Sequence, residues 1–469
     1  MSKKPYPRKC YLPFILYPPR LDENEEGSAF VENHIDMQKK GGDFVLYVGI
    51  PFCRKECKSC VYFVRGLPHE DTSNLEGRYI DALLKDLEHW ASFPKWNTGL
   101  IRAIYIGGGT GSILKTQNLK RLVDKIYELF QVADDCEFTL EGNSTDYDEE
   151  KINYVVNSHI NRLSFGVQSF QPEMLELIGT PHAVDNCLHV IKEFQKRGFE
   201  NIQLDLIYNL PGQTLDIWKK DLWTLKDLGI KHFTIYIYRI HEGKLQDRLI
   251  KAGKVQAPAP PDSQLANDMY EACVEIAREM GFERYMLNHF CKPGFEGMYN
   301  YWNWKVYEET LAVGPGSYSY FDDYRLGTEG DVDKYIDHVN NGEFLISSVT
   351  NKLPEKIKKE RYVIFTLLYY KVDFTYYEKK YGSSFLEDFK DIVERLKAKG
   401  LVNVEEDCLT LTPLGEDWHT NVILEFFDDI YWRDEKALNK NWSLNGASAE
   451  VGALPRTFWL GDKNITFYE

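Results

Sequence analysis

The chain has 469 residues, a formal net charge of −16 and 43% hydrophobic residues. It is long enough for a large core and roughly two to four domains. Its acidic balance excludes a general nucleic-acid binder, because affinity for phosphate rests on Lys and Arg. No run of about 18 apolar residues is present to span a bilayer, and the start, Met1-Ser-Lys-Lys-Pro5, continues polar without a cleavable apolar stretch. The nine cysteines are an odd, sparse set, not a disulfide framework, so a reducing cytoplasm is expected.

Residues 1–43 read as an N-terminal extension. From 44 to 245 one rhythm repeats. Short apolar runs predict buried strands at Phe44–Val48, Ala103–Ile106, Cys136–Leu140, Arg162–Gly166, Ile202–Ile207 and Phe233–Tyr238. Between them, helical periodicity marks Tyr79–Trp90, Leu119–Leu129, Val184–Arg197 and Ile217–Leu228. Alternation of this kind means parallel strands joined by crossover helices. Six units fit a partial TIM-type barrel as well as an open doubly wound sheet, and in both the chemistry gathers at the C-terminal strand ends.

The first strand runs directly into Gly49-Ile-Pro-Phe-Cys53-Arg-Lys-Glu-Cys57-Lys-Ser-Cys60. Three soft thiolates on one short loop suit iron and sulfide or zinc. Zinc needs a fourth ligand, for which His69 is the nearest downstream histidine. A four-iron cube held by three cysteines leaves one iron open.

Further along, the second strand ends in Gly107-Gly-Gly-Thr110-Gly111, where backbone can approach a ligand closely. No Gly-Lys-Ser/Thr follows, so this is not a phosphate P-loop. Strand three ends at Glu141, strand four at Gln168, and strand five carries Asp205 before Asn209-Leu-Pro-Gly-Gln213. One such buried polar group is ordinarily structural. Their recurrence on consecutive strands beside the cysteine loop favours one shared site.

Residues 246–350 read as a core extension on the substrate side. They comprise a proline-rich spacer (Ala257–Asp262), a helix over Ser263–Met280, an aromatic run Tyr299–Trp304 and the turn Gly314-Pro-Gly316. Residues 351–430 read as a winged-helix-like module, with helices near Lys356–Tyr370, Tyr376–Tyr381 and Phe385–Lys399 before a hairpin of Leu401–Val404 and Leu409–Leu411. The helix Phe385–Lys399 carries both signs of charge, so docking is the better default than DNA binding. The tail, 431–469, yields no assignable role.

The spacing Cys-x3-Cys-x2-Cys, with Gly-Gly-Gly-Thr, Gly-Val-Gln-Ser-Phe and Asp-Leu-Ile-Tyr-Asn-Leu-Pro-Gly-Gln-Thr, resembles the radical S-adenosylmethionine superfamily. Within it the chain resembles the branch of oxygen-independent coproporphyrinogen dehydrogenase and its relatives, which include a heme chaperone. The resemblance covers about residues 44 to 425. It implies a 4Fe-4S cluster on Cys53, Cys57 and Cys60, whose fourth iron is chelated by S-adenosylmethionine. One-electron cleavage would then yield a 5′-deoxyadenosyl radical. It also implies that Tyr47 and Phe52 lie along the adenosylmethionine and that Gly108, Gly109 and Thr110 meet its amino group. Glu141 and Gln168 would bind its polar parts, Asp205 would take ribose hydroxyls, and the backbone after Asn209 would border the adenine. Partners implied are a small-molecule substrate and a reductant such as flavodoxin or ferredoxin, with neither nucleic acid nor membrane.

Several positions depart from the family pattern. Gly49 stands for a histidine, Ser59 for an aromatic residue, and Thr180 for an arginine expected at the methionyl carboxylate, with Arg239 as its replacement candidate. The heme-binding pattern His-Asn-x-x-Tyr-Trp becomes Gly297-Met-Tyr-Asn-Tyr301-Trp302, and Gly-Ala-His-Ser becomes Gly316-Ser-Tyr318-Ser319. His289 and Cys291 stand where relatives mostly lack ligating residues. The expectation is a radical enzyme modifying an organic substrate by methyl transfer, cyclopropanation or C–C bond chemistry on a natural product or tetrapyrrole. Methyl transfer takes a second adenosylmethionine. The alternatives are a heme-binding chaperone with little turnover, or coproporphyrinogen III oxidative decarboxylation.

Overall fold

The structure is a computed structural model that describes residues 4–6, 23–24, 27–58, 60, 64–238, 240, 245–261, 263–306, 309–343, 346–350, 352–427, 457–460 and 463–466. Six parallel strands lie side by side in chain order: β1 (Asp43–Ile50), β2 (Leu100–Gly108), β3 (Gln131–Gly142), β4 (Arg162–Gln168), β5 (Ile202–Tyr208) and β6 (His232–Ile237). Each predicted strand is present; the first five extend beyond their apolar runs and the sixth is shifted back by one residue to His232–Ile237. The helices between them bury one apolar stripe each. Helix Leu75–Ala91 packs Tyr79, Ile80, Leu83 and Leu87 inward. Thr214 caps helix Leu215–Asp227 by accepting the Ile217 N–H at 3.2 Å. Helices Glu149–Val156 and Pro172–Ile178, missed from sequence, are each too short to show a clear period.

The region read as a core extension adds strands to the sheet at both edges. On one side β7 (Glu283–Met286) and β8 (His289–Cys291) pair antiparallel, and β8 pairs with β6. On the other, β9 (Glu309–Val313) lies parallel to β1, and β10 (Tyr318–Phe321), β11 (Tyr324–Thr328) and β12 (Ile346–Thr350) follow as an antiparallel run. With Glu23–Asn24 on β12 the sheet has 13 strands. The result is a partial TIM-type barrel whose rim carries the C-terminal ends of β1–β6.

A second core gathers helices Glu355–Thr366, Phe374–Tyr381 and Lys390–Ala398. They pack on a three-stranded sheet of Lys371–Asp373, Cys408–Leu411 and Val402–Val404, the C-terminal domain expected from the hairpin. Met286, the last residue of β7, and Leu287 just after it belong to this second core, and the Leu287 N–H donates to Leu368 O at 3.0 Å. The aromatic run forms a short turn at Met298–Asn300 and a wide helical turn at Tyr301–Val306. Most of the tail lies outside the described residues; within it Thr457–Leu460 pairs antiparallel with Lys463–Thr466.

Candidate active site at the barrel rim

The loop after β1 begins as a short ladder in which Phe52–Cys53 pairs with Arg65–Gly66. It is latched on two sides. Arg54 makes a 3.3 Å ion pair with Asp146 and donates to the Leu67, Pro68 and Ile113 carbonyls at 3.4, 3.3 and 3.3 Å. Lys58 donates from its backbone to Ile178 O at 3.0 Å and from its ammonium to Glu176 O and Leu177 O at 3.3 Å each, closing the C-terminal end of helix Pro172–Ile178.

Between these latches Cys53, Cys57 and Cys60 are all partly exposed, unlike the other described cysteines, which are buried. Burial pushes the Cys53 thiol up to about 12, against a contact from Thr110 Oγ1 at 3.3 Å, and the charges of Cys60 and Cys57 push it further. Burial and then Cys60 push Cys57 up to about 11. Thiols whose proton affinity is raised by burial and by neighbouring thiolates need a cationic centre to ionise together. As a set their sulfurs do not fall within 4.8 Å of one another, and His69 joins no such group. Tetrahedral zinc with 2.3 Å bonds brings its sulfurs to about 3.8 Å. The three thiols are thus not gathered at the spacing of a single tetrahedral ion. Among the described residues only Glu405, Asp407 and Cys408, on the distant hairpin, lie close enough to share an ion.

The glycine run at the end of β2 is explained by close approach. A Cβ on Gly109 would sit 2.6 Å from Phe52 O, and Gly108 holds φ +115° with its Cβ position 3.0 Å from Ile50 O. The run thus presses against the start of the cysteine loop. Gly108 N–H donates to Glu141 Oε2 at 3.2 Å. Burial, and then the charge of Asp205, push Glu141 up to about 8. Burial also raises Asp205, opposed by hydrogen bonds from Thr234, Gln203 (2.7 Å) and Ser164 (3.4 Å). Gln168 adopts φ +67° at a register break between β4 and β5, and its amide folds over Gly166. Strain of this kind is concentrated at functional sites.

Tyr47 stacks on Tyr105 with centroids 6.1 Å apart, and Tyr105 contacts Tyr299 at 5.2 Å, so an aromatic ladder lines the interior below the rim. Phe52 differs from expectation. Its ring is fully buried, edge-on to Tyr79 at 5.1 Å, which leaves only its main chain to the site. Asn209 has φ +63° and donates to Ala259 O at 2.8 Å, tying the β5 loop to the proline-rich spacer. Arg239 and Ser59 lie outside the described residues.

The departures have local causes. A Cβ on Gly49 would sit 2.7 Å from Ser317 Oγ, so Ser317 fills the space a side chain there would need. Thr180 follows Gly179, whose φ of +71° closes helix Pro172–Ile178. A Cβ on Gly297 would sit 3.2 Å from the Tyr285 hydroxyl and 3.4 Å from Arg162 Nη2. His289 and Cys291 are buried on β8; His289 lies opposite Thr234, the residue that pairs with Asp205, with the His232 and Tyr285 rings each 5.9 Å away between centroids.

Ser164, Gln203, Thr234 and Tyr105 were missed as members of this interior. For Gln203 and Tyr105 the signal was available: each lies two residues from Asp205 or Gly107 and so shares its face of a strand.

The family model for the radical SAM superfamily matches residues 47–222. A protein of Lactococcus lactis subsp. lactis called heme chaperone HemW is 30% identical over 387 residues, 82% of this chain and 97% of that one. The protein of that name from Bacillus subtilis is 29% identical over 388 residues, 82% and 99% of the two chains. Among solved structures, coproporphyrinogen III oxidase (HemN) from Escherichia coli, described as a radical SAM enzyme, superposes with a TM-score of 0.74 at 21% identity. The match covers 88% of this chain and 97% of that one.

Proposed function

This chain belongs to the HemN/HemW-type branch of the radical SAM superfamily, and we propose that it binds a heme-type tetrapyrrole in the barrel beside a 4Fe-4S cluster. The observation that carries this is the near end-to-end match to two proteins named heme chaperone, at 97% and 99% of their lengths. Methyl transfer and cyclopropanation gain no support from these relatives, so heme binding replaces them as the main reading.

In this reading Cys53, Cys57 and Cys60 hold the cluster. Glu141, a recessed carboxylate with no ion pair among the described residues, and Asp205, recessed beside it, receive the ammonium and ribose hydroxyls of S-adenosylmethionine. Gly108 and Gly109 allow the close approach, Thr110 stays on Cys53, and Gln168 and Tyr47 line the remainder. When bound, cluster and adenosylmethionine supply reductive cleavage of a sulfonium, the source of a hydrogen-abstracting radical. This chain's own residues orient the ligands and shield them from water. Heme is held without a histidine at position 297, because Gly297 instead donates its N–H to Tyr285 at 3.0 Å.

A second reading, turnover of the tetrapyrrole, is favoured by the preserved acidic cradle at the rim. One experiment addresses both. The protein is reconstituted with iron and sulfide without oxygen, titrated with heme, then given dithionite and S-adenosylmethionine. A saturable heme spectrum is expected. Absence of heme binding would sink the proposal, and 5′-deoxyadenosine formed only with heme would select turnover. Cys57→Ala is expected to lose its iron while keeping the fold; unfolding would point back to a structural metal.

A further inference from the structure

The seam between the barrel and the C-terminal domain holds a buried phenol without a hydrogen-bond partner beside an ammonium that is held only over aromatic rings. Tyr369, on the turn after helix Glu355–Thr366, is 8% exposed and its hydroxyl has no hydrogen-bond partner. Its ring lies 6.1 Å from that of Tyr285 and 6.5 Å, edge-on, from that of Tyr301. The Lys305 ammonium lies 5.2 Å from the Tyr301 centroid and 5.4 Å from that of Tyr369, and makes no hydrogen bond or ion pair among the described residues. Burial lowers the proton affinity of Lys305 and the charge of Lys371 lowers it further, with only Glu296 opposing. Lys305 is exposed at the edge of the seam, so its ammonium is open to a ligand entering from solvent beside the orphaned phenol. A buried hydroxyl without an acceptor costs about 1–3 kcal/mol. A carboxylate can accept from the phenol through one oxygen and from the ammonium through the other.

We infer that Lys305 and Tyr369 form a carboxylate-binding site that receives an acidic side arm of the organic substrate. The segment that carries Lys305 makes the connection. It starts inside the barrel, where the Met298 and Tyr299 N–H groups donate to Glu137 at 2.9 Å each and Tyr299 packs on Tyr105, and it ends at the seam. A substrate lying along this segment spans from the aromatic ladder to Lys305. Assigning the carboxylate to a tetrapyrrole rests on the heme reading above; the anion site itself does not.

The test uses the full chain with its lysines reductively 13C-methylated, the Lys305 signal being identified by its absence in Lys305→Arg. Titration with propionate is expected to shift that signal saturably, about tenfold more weakly in Tyr369→Phe. No shift with propionate, or equal affinity in Tyr369→Phe, overturns the site and leaves the phenol to a bound water. Heme is then compared with its dimethyl ester. The wild type is expected to bind heme about tenfold more tightly, a ratio lost in Lys305→Gln. Equal binding of heme and ester by the wild type overturns the assignment to a substrate arm. If neither binds while propionate still shifts Lys305, the heme reading fails and the anion site stands.

Discussion

The two ends of the barrel interior treat buried charge in opposite ways. At the floor, Arg162 is 2% exposed and bonds in several directions: to Asn201 at 3.1 Å, to Gln203, to His232 Nδ1 at 2.7 Å, and to Glu137 as a 3.8 Å ion pair. Burial and Arg162 hold His232 far below the usual histidine range, so it is neutral; it accepts from Arg162 and donates through Nε2 to Tyr285 at 3.3 Å. At the rim, Glu141 accepts a backbone hydrogen bond, has no ion pair among the described residues and is pushed up; Asp205, in mid-strand, is also raised by burial, although its hydrogen bonds and the charge of Arg162 oppose that rise. A closed network rigidifies, whereas an unpaired carboxylate leaves a place for a positive ligand. The floor is scaffold, and the rim is where a cation belongs.

The sharpest way to break that distinction is Arg162→Met. If the floor is scaffold, removing its only buried guanidinium strands Glu137 and the ring of acceptors around it. Stability is expected to fall by about 3–5 kcal/mol in denaturant titration. Arg162→Lys should rescue little, because one ammonium cannot serve such widely spread acceptors. A loss below about 1 kcal/mol would mean that the floor is as loosely held as the rim.

A smaller effect is expected from Glu137→Gln, which weakens the grip on the 297–306 segment without emptying the core. A hydrogen bond to a charged acceptor is worth about 1.5–3 kcal/mol. Amide exchange at Met298 and Tyr299 should therefore speed up about tenfold or more, while exchange in β1–β3 is unchanged. Unaltered exchange at both amides would mean that the segment is held from the C-terminal domain alone.

Much of the rim was legible in the sequence because its chemistry sits in short local runs. Cys53 to Cys60, Gly107 to Thr110 and the strand-end residues Glu141, Gln168 and Asp205 needed only a strand–loop rhythm to be placed on one edge. The floor was not legible. Arg162, Gln203, His232, Tyr285 and Gly297 come from five separated elements, and no local spacing announces that they meet. The edge strands were missed for a related reason. β7 and β8 are four and three residues long, too short to show a period. β9 looks like any apolar run until its pairing with β1 is known. Phe52 shows a subtler failure, since a motif position does not reveal which way a ring turns.

The finest test of the rim concerns protons. In the unfolded chain Glu141 ionises near the ordinary glutamate value, about 4.3; in the folded protein it does so near about 8. Between those values the native state holds more protons, so its stability falls as pH rises. Below the lower value both states are protonated, and above the upper one the loss is complete. Glu141→Gln removes this dependence. Its melting temperature relative to wild type is therefore expected to climb from pH 5 to about pH 8 and then level off, measured on protein free of iron and ligand. Parallel curves for wild type and Glu141→Gln would mean that the rim carboxylate is ionised throughout. The same proton links to binding: a positive ligand seated beside Glu141 must displace it, so affinity should rise with pH up to about 8 and be flat in Glu141→Gln.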